Sequence, residues 1–151
     1  MHRLYETDEI SVFWNSDKCR HAKMCVTGCP EAFEFGRRPW IDLSRDEPSR
    51  IWQAISRCPS GALGITYNHS VQVKLDEAGS RSVAILDGKE IGECDYEDEG
   101  DNCVIYHTHV LPEYGGKGIA KRLVYKVIEA AERGKKNLAP TCSYAIKVLE
   151  E

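Results

Sequence analysis

No run of apolar residues in this 151-residue chain approaches the roughly 20 needed to cross a bilayer as a helix. The opening Met1-His2-Arg3-Leu4-Tyr5-Glu6-Thr7-Asp8-Glu9 turns acidic at once and has no apolar stretch, so it does not read as a secretory signal. Positive charge is not in surplus either. The net charge of −4 argues against a general nucleic-acid binder. The first 68 residues balance nine basic against nine acidic side chains, so the whole deficit lies in residues 69–151, where eleven face fifteen. Internal repeats, low-complexity tracts and the Gly-Lys-Ser/Thr ending of a P-loop are all missing. These absences lead us to expect a cytoplasmic protein with no membrane and no nucleic-acid partner. The length fits one ordinary domain or two small ones.

Cysteine, in contrast, is abundant: seven residues, an odd number, with no export signal. In a reducing compartment such thiols are metal ligands, nucleophiles or buried apolar groups rather than disulfides. Four of them (Cys19, Cys25, Cys29, Cys58) crowd the first 58 residues, while Cys94, Cys103 and Cys142 are scattered. The flanking pattern predicts a strand at 10–14, a helix opened by Asp46 and Pro48 and closed before Pro59, and a domain boundary within 61–68. Beyond it we expect strands at 71–75 and 82–86, a hairpin turning at Asp87-Gly88, and a strand at 103–110. An amphipathic helix over 116–132, stopped by Gly134, comes next, then a short strand at 138–142 and a last helix capped by Ser143. The six carboxylates of the 93–101 segment read as a solvated hairpin tip, with docking of a cationic acceptor as a lesser alternative.

The first constellation reads Cys19-Arg20-His21-Ala22-Lys23-Met24-Cys25-Val26-Thr27-Gly28-Cys29-Pro30, with a remote Cys58-Pro59. Bacterial ferredoxins use Cys-x2-Cys-x2-Cys-x3-Cys-Pro, and this is that run with Ala22 in the second place. Cys19, Cys25 and Cys58 are the best cluster ligands. Cys29 stands where a second cluster would be served, and is either a fourth ligand or a bystander; His21 is a weaker candidate. A structural zinc site on the same four cysteines competes, but zinc pairs are usually two to four residues apart and the first spacing here is five. Together with Pro30-Glu31-Ala32-Phe33, Arg38-Pro39-Trp40-Ile41 and Cys58-Pro59-Ser60-Gly61-Ala62-Leu63, residues 10–67 resemble the divergent single-cluster 4Fe-4S ferredoxins. The resemblance implies a [4Fe-4S] or [3Fe-4S] cluster, because Ala22 leaves one iron without a thiolate.

The second constellation is His107-Thr108-His109-Val110-Leu111-Pro112-Glu113-Tyr114-Gly115-Gly116-Lys117-Gly118-Ile119-Ala120, a strand passing through a glycine turn into a helix. Backbone N–H groups of such a turn, the positive end of the helix, and Lys117 and Lys121 suit a pyrophosphate. With Pro140-Thr141-Cys142-Ser143-Tyr144, residues 69–151 resemble the small GNAT-type N-acetyltransferases that carry a cysteine on the strand after the helix. Gly118 and Ala120 fit the usual consensus, whereas Gly115 replaces its Arg or Gln. The resemblance implies that Gly115, Gly116, Lys117, Gly118, Ala120 and Lys121 hold coenzyme A or acetyl-CoA, that pantetheine runs along the strand, and that a backbone N–H near Val110 faces the oxyanion. Cys142 is then an acetyl-accepting nucleophile or a thiol packed beside pantetheine. His107 is a candidate base, as is His109 two residues on and on the same face; a structural histidine is the alternative.

The expected fold class is α+β: a small ferredoxin-like iron–sulfur domain over 1–68, then a minimal GNAT-like mixed α/β domain over 69–151. The expected function is an iron–sulfur protein fused to an acetyl-CoA-dependent N-acetyltransferase acting on an unidentified amine, the cluster being structural or redox-sensing. The rival is an electron-transfer ferredoxin, with a redox partner protein, whose second domain binds CoA or a partner without catalysis.

Overall fold

The computed structural model describes residues 2–18, 29–34, 37, 39–58 and 62–150. Within it the chain forms two compact units, Arg3–Tyr67 and Asn68–Glu151. The mixed α+β composition agrees with the expected fold class. No helix among the described residues is long and apolar enough to cross a membrane.

The first unit is built on a three-stranded sheet in the order β1 (His2–Glu6), β2 (Ile10–Asn15), β3 (Leu63–Tyr67). Strand β2 is central and all six of its residues are buried. It pairs antiparallel with β3, from Ile10 opposite Tyr67 to Trp14 opposite Leu63. Helix α1 (Pro48–Ser56) buries Ile51, Ala54 and Ile55, the 3-4 spacing of a single helical face. These join Ile10, Val12, Trp14, Phe33, Ile41 and Leu43 in one core. Pro48 occupies the first helical turn, where its missing N–H costs nothing. The capping position falls to Glu47, without a side-chain cap, and not to Asp46. Asp46 is engaged elsewhere, accepting from Glu47 N–H at 2.7 Å and from the Cys29 thiol at 3.0 Å.

The second unit is a five-stranded sheet in the order β4 (Gln72–Asp76), β5 (Arg81–Leu86), β6 (Lys89–Glu99), β7 (Asn102–Val110), β8 (Asn137–Leu138). The first four strands form an antiparallel meander, and β8 returns parallel to β7. A parallel return needs a crossover, supplied by α2 (Ile119–Arg133). Its buried face carries Ile119, Leu123, Val127 and Ala131, together with Val124 and Ile128. Two buried polar bonds fix this helix: the Ser82 hydroxyl donates to the Leu123 carbonyl at 2.8 Å, and Arg122 Nη2 donates to the Val71 carbonyl at 2.9 Å. Helix α3 (Ser143–Glu150) closes the unit with Ala145 and Val148 buried.

Four elements depart from expectation. Strand β1 (His2–Glu6) precedes the first expected strand, β8 spans Asn137–Leu138 and not 138–142, and residues 63–67, within the expected boundary, are strand β3. The helix expected from residue 116 starts at Ile119, because Gly116 and Gly118 sit at φ of +75° and +74°, outside helical geometry.

Candidate functional site

In the first unit, Cys19, Cys25, His21 and Ala22 lie outside the described residues. Cys58 follows α1 and packs, half-buried, against the core. Cys29 is fully buried in that core. Burial, reinforced by its bond to Asp46, pushes its thiol up to about 11, so it stands as a proton donor to the Asp46 carboxylate. Arg50 completes the chain, 3.3 Å from Asp46. The neighbouring loop is pinned by Arg37, whose guanidinium donates to the carbonyls of Glu31, Ala32, Pro39 and Trp40. Trp40 in turn packs edge-on against Trp14 at 5.0 Å. Cys29 stands out in the sequence; Asp46 shows there only as a helix-opening residue, and nothing in the spacing points to Arg37.

In the second unit the decisive feature is a bulge. Asp95 of β6 pairs with His107 and the next residue, Tyr96, pairs with Ile105, so Tyr106 is an extra residue on β7. Before it, Cys103 and Ile105 face the core. Strict alternation would send His107 and His109 inward as well. The bulge shifts the phase, and both histidines project from the exposed face with rings stacked at 6.2 Å. They stand across from Asp95 and Glu93. Ligand-type atoms of Glu93, Asp95 and His107 lie within 4.8 Å of one another, with Glu93 already paired to Arg81 at 2.9 Å. Burial, then repulsion from Glu93, raises the Asp95 carboxyl above the usual range.

Thr108 and Val110 take the opposite face of β7. Thr108 lies across from Cys94 and accepts a hydrogen bond from Cys142 Sγ at 3.6 Å. Cys142 precedes α3, its carbonyl accepting the first helical N–H, from Ile146, at 3.0 Å. Cys142, and not Ser143, is therefore the capping residue. Burial opposes ionisation of its thiol. The N–H groups of Ala145 and Tyr144, the Thr108 hydroxyl and the Thr108 backbone outweigh that and hold it below the ordinary thiol value. The two catalytic candidates, Cys142 and His107, thus lie on opposite sides of β7.

The segment after α2 runs beside β7 only part of its length. Asn137, Ala139, Thr141 and Cys142 donate to the carbonyls of Asp101, Cys103, Ile105 and again Ile105. Beyond Ile105, β7 has β6 as its strand neighbour among the described residues; no described strand pairs with its other edge over 106–110, where the Thr108 backbone turns to the Cys142 sulfur. That edge leads into the glycine turn. There Pro112–Tyr114 forms a short 3-10 turn, Gly115 is extended, and Gly116 and Gly118 are left-handed. No side chain caps α2 at Gly118, so its first N–H groups are not met by a capping side chain. Lys117 and Lys121 flank the turn, each 5.8 Å from a tyrosine ring, Tyr114 and Tyr125 respectively.

An open strand edge, a glycine turn at a helix N-terminus and a thiol at the next helix mark the second unit; Cys29 and Cys58, packed in or against the core, mark the first. Residues 5–68 match the model of the divergent 4Fe-4S mono-cluster family, and residues 81–151 match that of the GCN5-related N-acetyltransferases. The chain belongs to the divergent 4Fe-4S mono-cluster family through residues 5–68, and its remainder is similar to the GCN5-related N-acetyltransferases over residues 81–151. Over 68 residues it is 35% identical to the uncharacterized protein YjdI of Escherichia coli (strain K12), covering 45% of this chain and 87% of that protein. It also resembles the solution structure of a GCN5-like protein from Staphylococcus aureus, at 27% identity and a TM-score of 0.42 over 52% of this chain and 78% of that chain. A GCN5-related N-acetyltransferase from Sphaerobacter thermophilus aligns at 16% identity and a TM-score of 0.39, over 91% of this chain and 43% of that chain.

Proposed function

We propose that the chain is an acetyl-CoA-dependent N-acetyltransferase whose first domain, residues 1–68, carries an iron–sulfur cluster of structural or redox-sensing role, in the cytoplasm. The carrying observation is the continuity of three features of the second unit: the left-handed glycines at the uncapped start of α2, the edge of β7 over residues 106–110 with which no described strand pairs, and the Cys142 thiol at the start of α3. The family match over 81–151 supports it.

The turn fits an anion. Gly116 and Gly118 stand at positive φ, the backbone state from which a turn can gather N–H groups around an anion, and a Cβ at Gly116 would meet nothing within 4 Å. We assign Gly115, Gly116, Gly118 and Ala120 to holding the pyrophosphate through backbone N–H groups, and Lys117 and Lys121 to neutralising it. The edge ending at Val110 offers N–H and carbonyl groups to an extended chain, as a neighbouring strand would. Bound acetyl-CoA would supply an activated acetyl group. Cys142 is the nucleophilic candidate, since thiolates and not thiols attack acyl carbon. His107, the candidate base, and His109 project from the other face of β7, beside Glu93 and Asp95.

For the cluster, we assign Cys19, Cys25 and Cys58 as ligands. Cys29, buried and donating to Asp46, stays in the core as a thiol. A unit of this size gains stability from such a centre.

Acetyl-CoA turnover across a panel of amines tests the reading. We expect activity in the parent and a loss on the order of a hundredfold or more in Cys142→Ala. Heat stabilisation by acetyl-CoA without turnover on any amine would make the second domain a binding module and refute the enzyme.

A further inference from the structure

The Cys142 thiol does not stand alone. Across the core-side face of the sheet, Cys94 of β6 lies directly opposite Thr108 of β7, and Thr108 lies beside Cys142. The Thr108 hydroxyl oxygen is 3.5 Å from Cys94 Sγ and 3.6 Å from Cys142 Sγ, so one hydroxyl bridges two sulfurs from different elements. On the next strand, Ser82 pairs with Cys94 but spends its own hydroxyl on the Leu123 carbonyl. Cys94 is fully buried.

We propose that Thr108 and Cys94 are positioning residues for Cys142, forming a hydrogen-bond relay whose direction reverses when Cys142 loses its proton. This deepens the reading of Cys142 as a nucleophile and rests on it. With Cys142 protonated, its S–H donates to Thr108, and the Thr108 O–H donates to Cys94. A hydroxyl has one proton to give and two lone pairs to accept with. Once the Cys142 proton has gone to solvent, the Thr108 O–H turns to the Cys142 sulfur and accepts in turn from the Cys94 S–H. The Thr108 hydroxyl both donates and accepts in either state, and the charged state gains a donor aimed at the sulfur.

Cys94 suits the far end because it keeps its proton: burial pushes it up to about 12. The other titratable group of this face of β7, Cys103, is pushed up to about 11 and stays neutral as well. Glu93, Asp95, His107 and His109 project from the opposite face. The titratable side chains that α2 buries are Arg122, bonded to the Val71 carbonyl, and Tyr125. From α3 itself, the N–H groups of Ala145 and Tyr144 reach the sulfur.

The test is the pH dependence of iodoacetamide alkylation at Cys142. It is followed by mass spectrometry of the Cys142 peptide, in the reduced full chain without acetyl-CoA or amine. Thr108→Val keeps the shape and removes the hydroxyl. We expect its alkylation midpoint to rise by about one pH unit, which lowers the rate at neutral pH roughly tenfold. Thr108→Ser should recover most of the parent midpoint. Cys94→Ala should raise the midpoint by a smaller amount and Cys94→Ser should not, a pair that carries the test if Thr108→Val fails to fold. An unchanged midpoint in Thr108→Val with parental unfolding temperature, or equal displacement by Cys94→Ala and Cys94→Ser, overturns the relay. Because no acetyl transfer is read, a chain inactive on every amine yet showing these shifts would refute the enzyme and keep the relay.

Discussion

At the level of single residues, the described cysteines divide by what surrounds them. Cys29, Cys94 and Cys103 are buried, and burial leads the causes that raise them to about 11, about 12 and about 11. Cys142 is half-buried, and the start of α3 more than offsets the cost of its partial burial. The sign follows directly: a depressed value means the thiolate fraction, and with it the alkylation rate, rises at lower pH than for an ordinary thiol. A short iodoacetamide pulse at pH 8 should therefore label Cys142 well ahead of Cys29, Cys94 and Cys103, as peptide mapping would show; labelling in the reverse order would contradict the capping geometry. A second expectation concerns the cluster. Replacing Cys58 by Ala should abolish bound iron and acid-labile sulfide in anaerobically purified protein. Replacing Cys29 by Ala should leave both and lower the unfolding temperature, because it removes a thiol packed in the core together with its bond to Asp46. Iron analysis and thermal unfolding of the two variants decide it.

At the level of elements, what was legible depended on whether the chain kept its period. Helix α2 repeats its apolar residues at 3-4 spacing, and the meander strands alternate, so both showed in the sequence. Strand β3 did not, since Gly64 interrupts Leu63-Gly64-Ile65-Thr66-Tyr67 just after the Gly61 turn signal. That His107 and His109 share a face follows from a two-residue period; which face they share does not, because one extra residue at Tyr106 inverts the assignment. The same bulge brings Thr108 to Cys142, a partnership that no spacing announces. The glycine turn shows in the sequence as a break before a helix, but the helix starts three residues later than the string suggests, because left-handed φ values are invisible in a glycine-rich string. Gly118→Ala tests that turn. A Cβ at φ +74° costs about 1–2 kcal/mol, and the change should also shrink the rise in melting temperature produced by acetyl-CoA. Gly88→Ala, at φ +78° in the distant β5–β6 hairpin, should carry a similar stability cost and leave that rise intact. Gly92 is constrained by space instead. An added Cβ would lie 3.0 Å from the His109 carbonyl oxygen and 3.3 Å from Leu123 Cδ1. Gly92→Val should therefore destabilise by about 1–3 kcal/mol, measurable by urea unfolding.

At the scale of the whole molecule, each unit has its own sheet and its own apolar core. The first, Arg3–Tyr67, is of a size at which burial alone leaves little stability, so a bound cluster should contribute much of what it has. The second holds the CoA candidate site, and a ligand that binds only its folded form stabilises it by about 2.7 kcal/mol at a hundred times the dissociation constant. For a domain of this length that corresponds to a rise of roughly 10–20 °C in melting temperature. Calorimetry of the full chain should accordingly show two transitions with separate levers. Anaerobic iron chelation should lower one and leave the other. Acetyl-CoA should raise the other and leave the first, and desulfo-CoA, which keeps the pyrophosphate, should act in the same direction because the turn at Gly116 and Gly118 is what it engages. A single transition moved by both treatments would mean that the two cores unfold as one, and would tie loss of the cluster directly to the stability of the acetyl-CoA site.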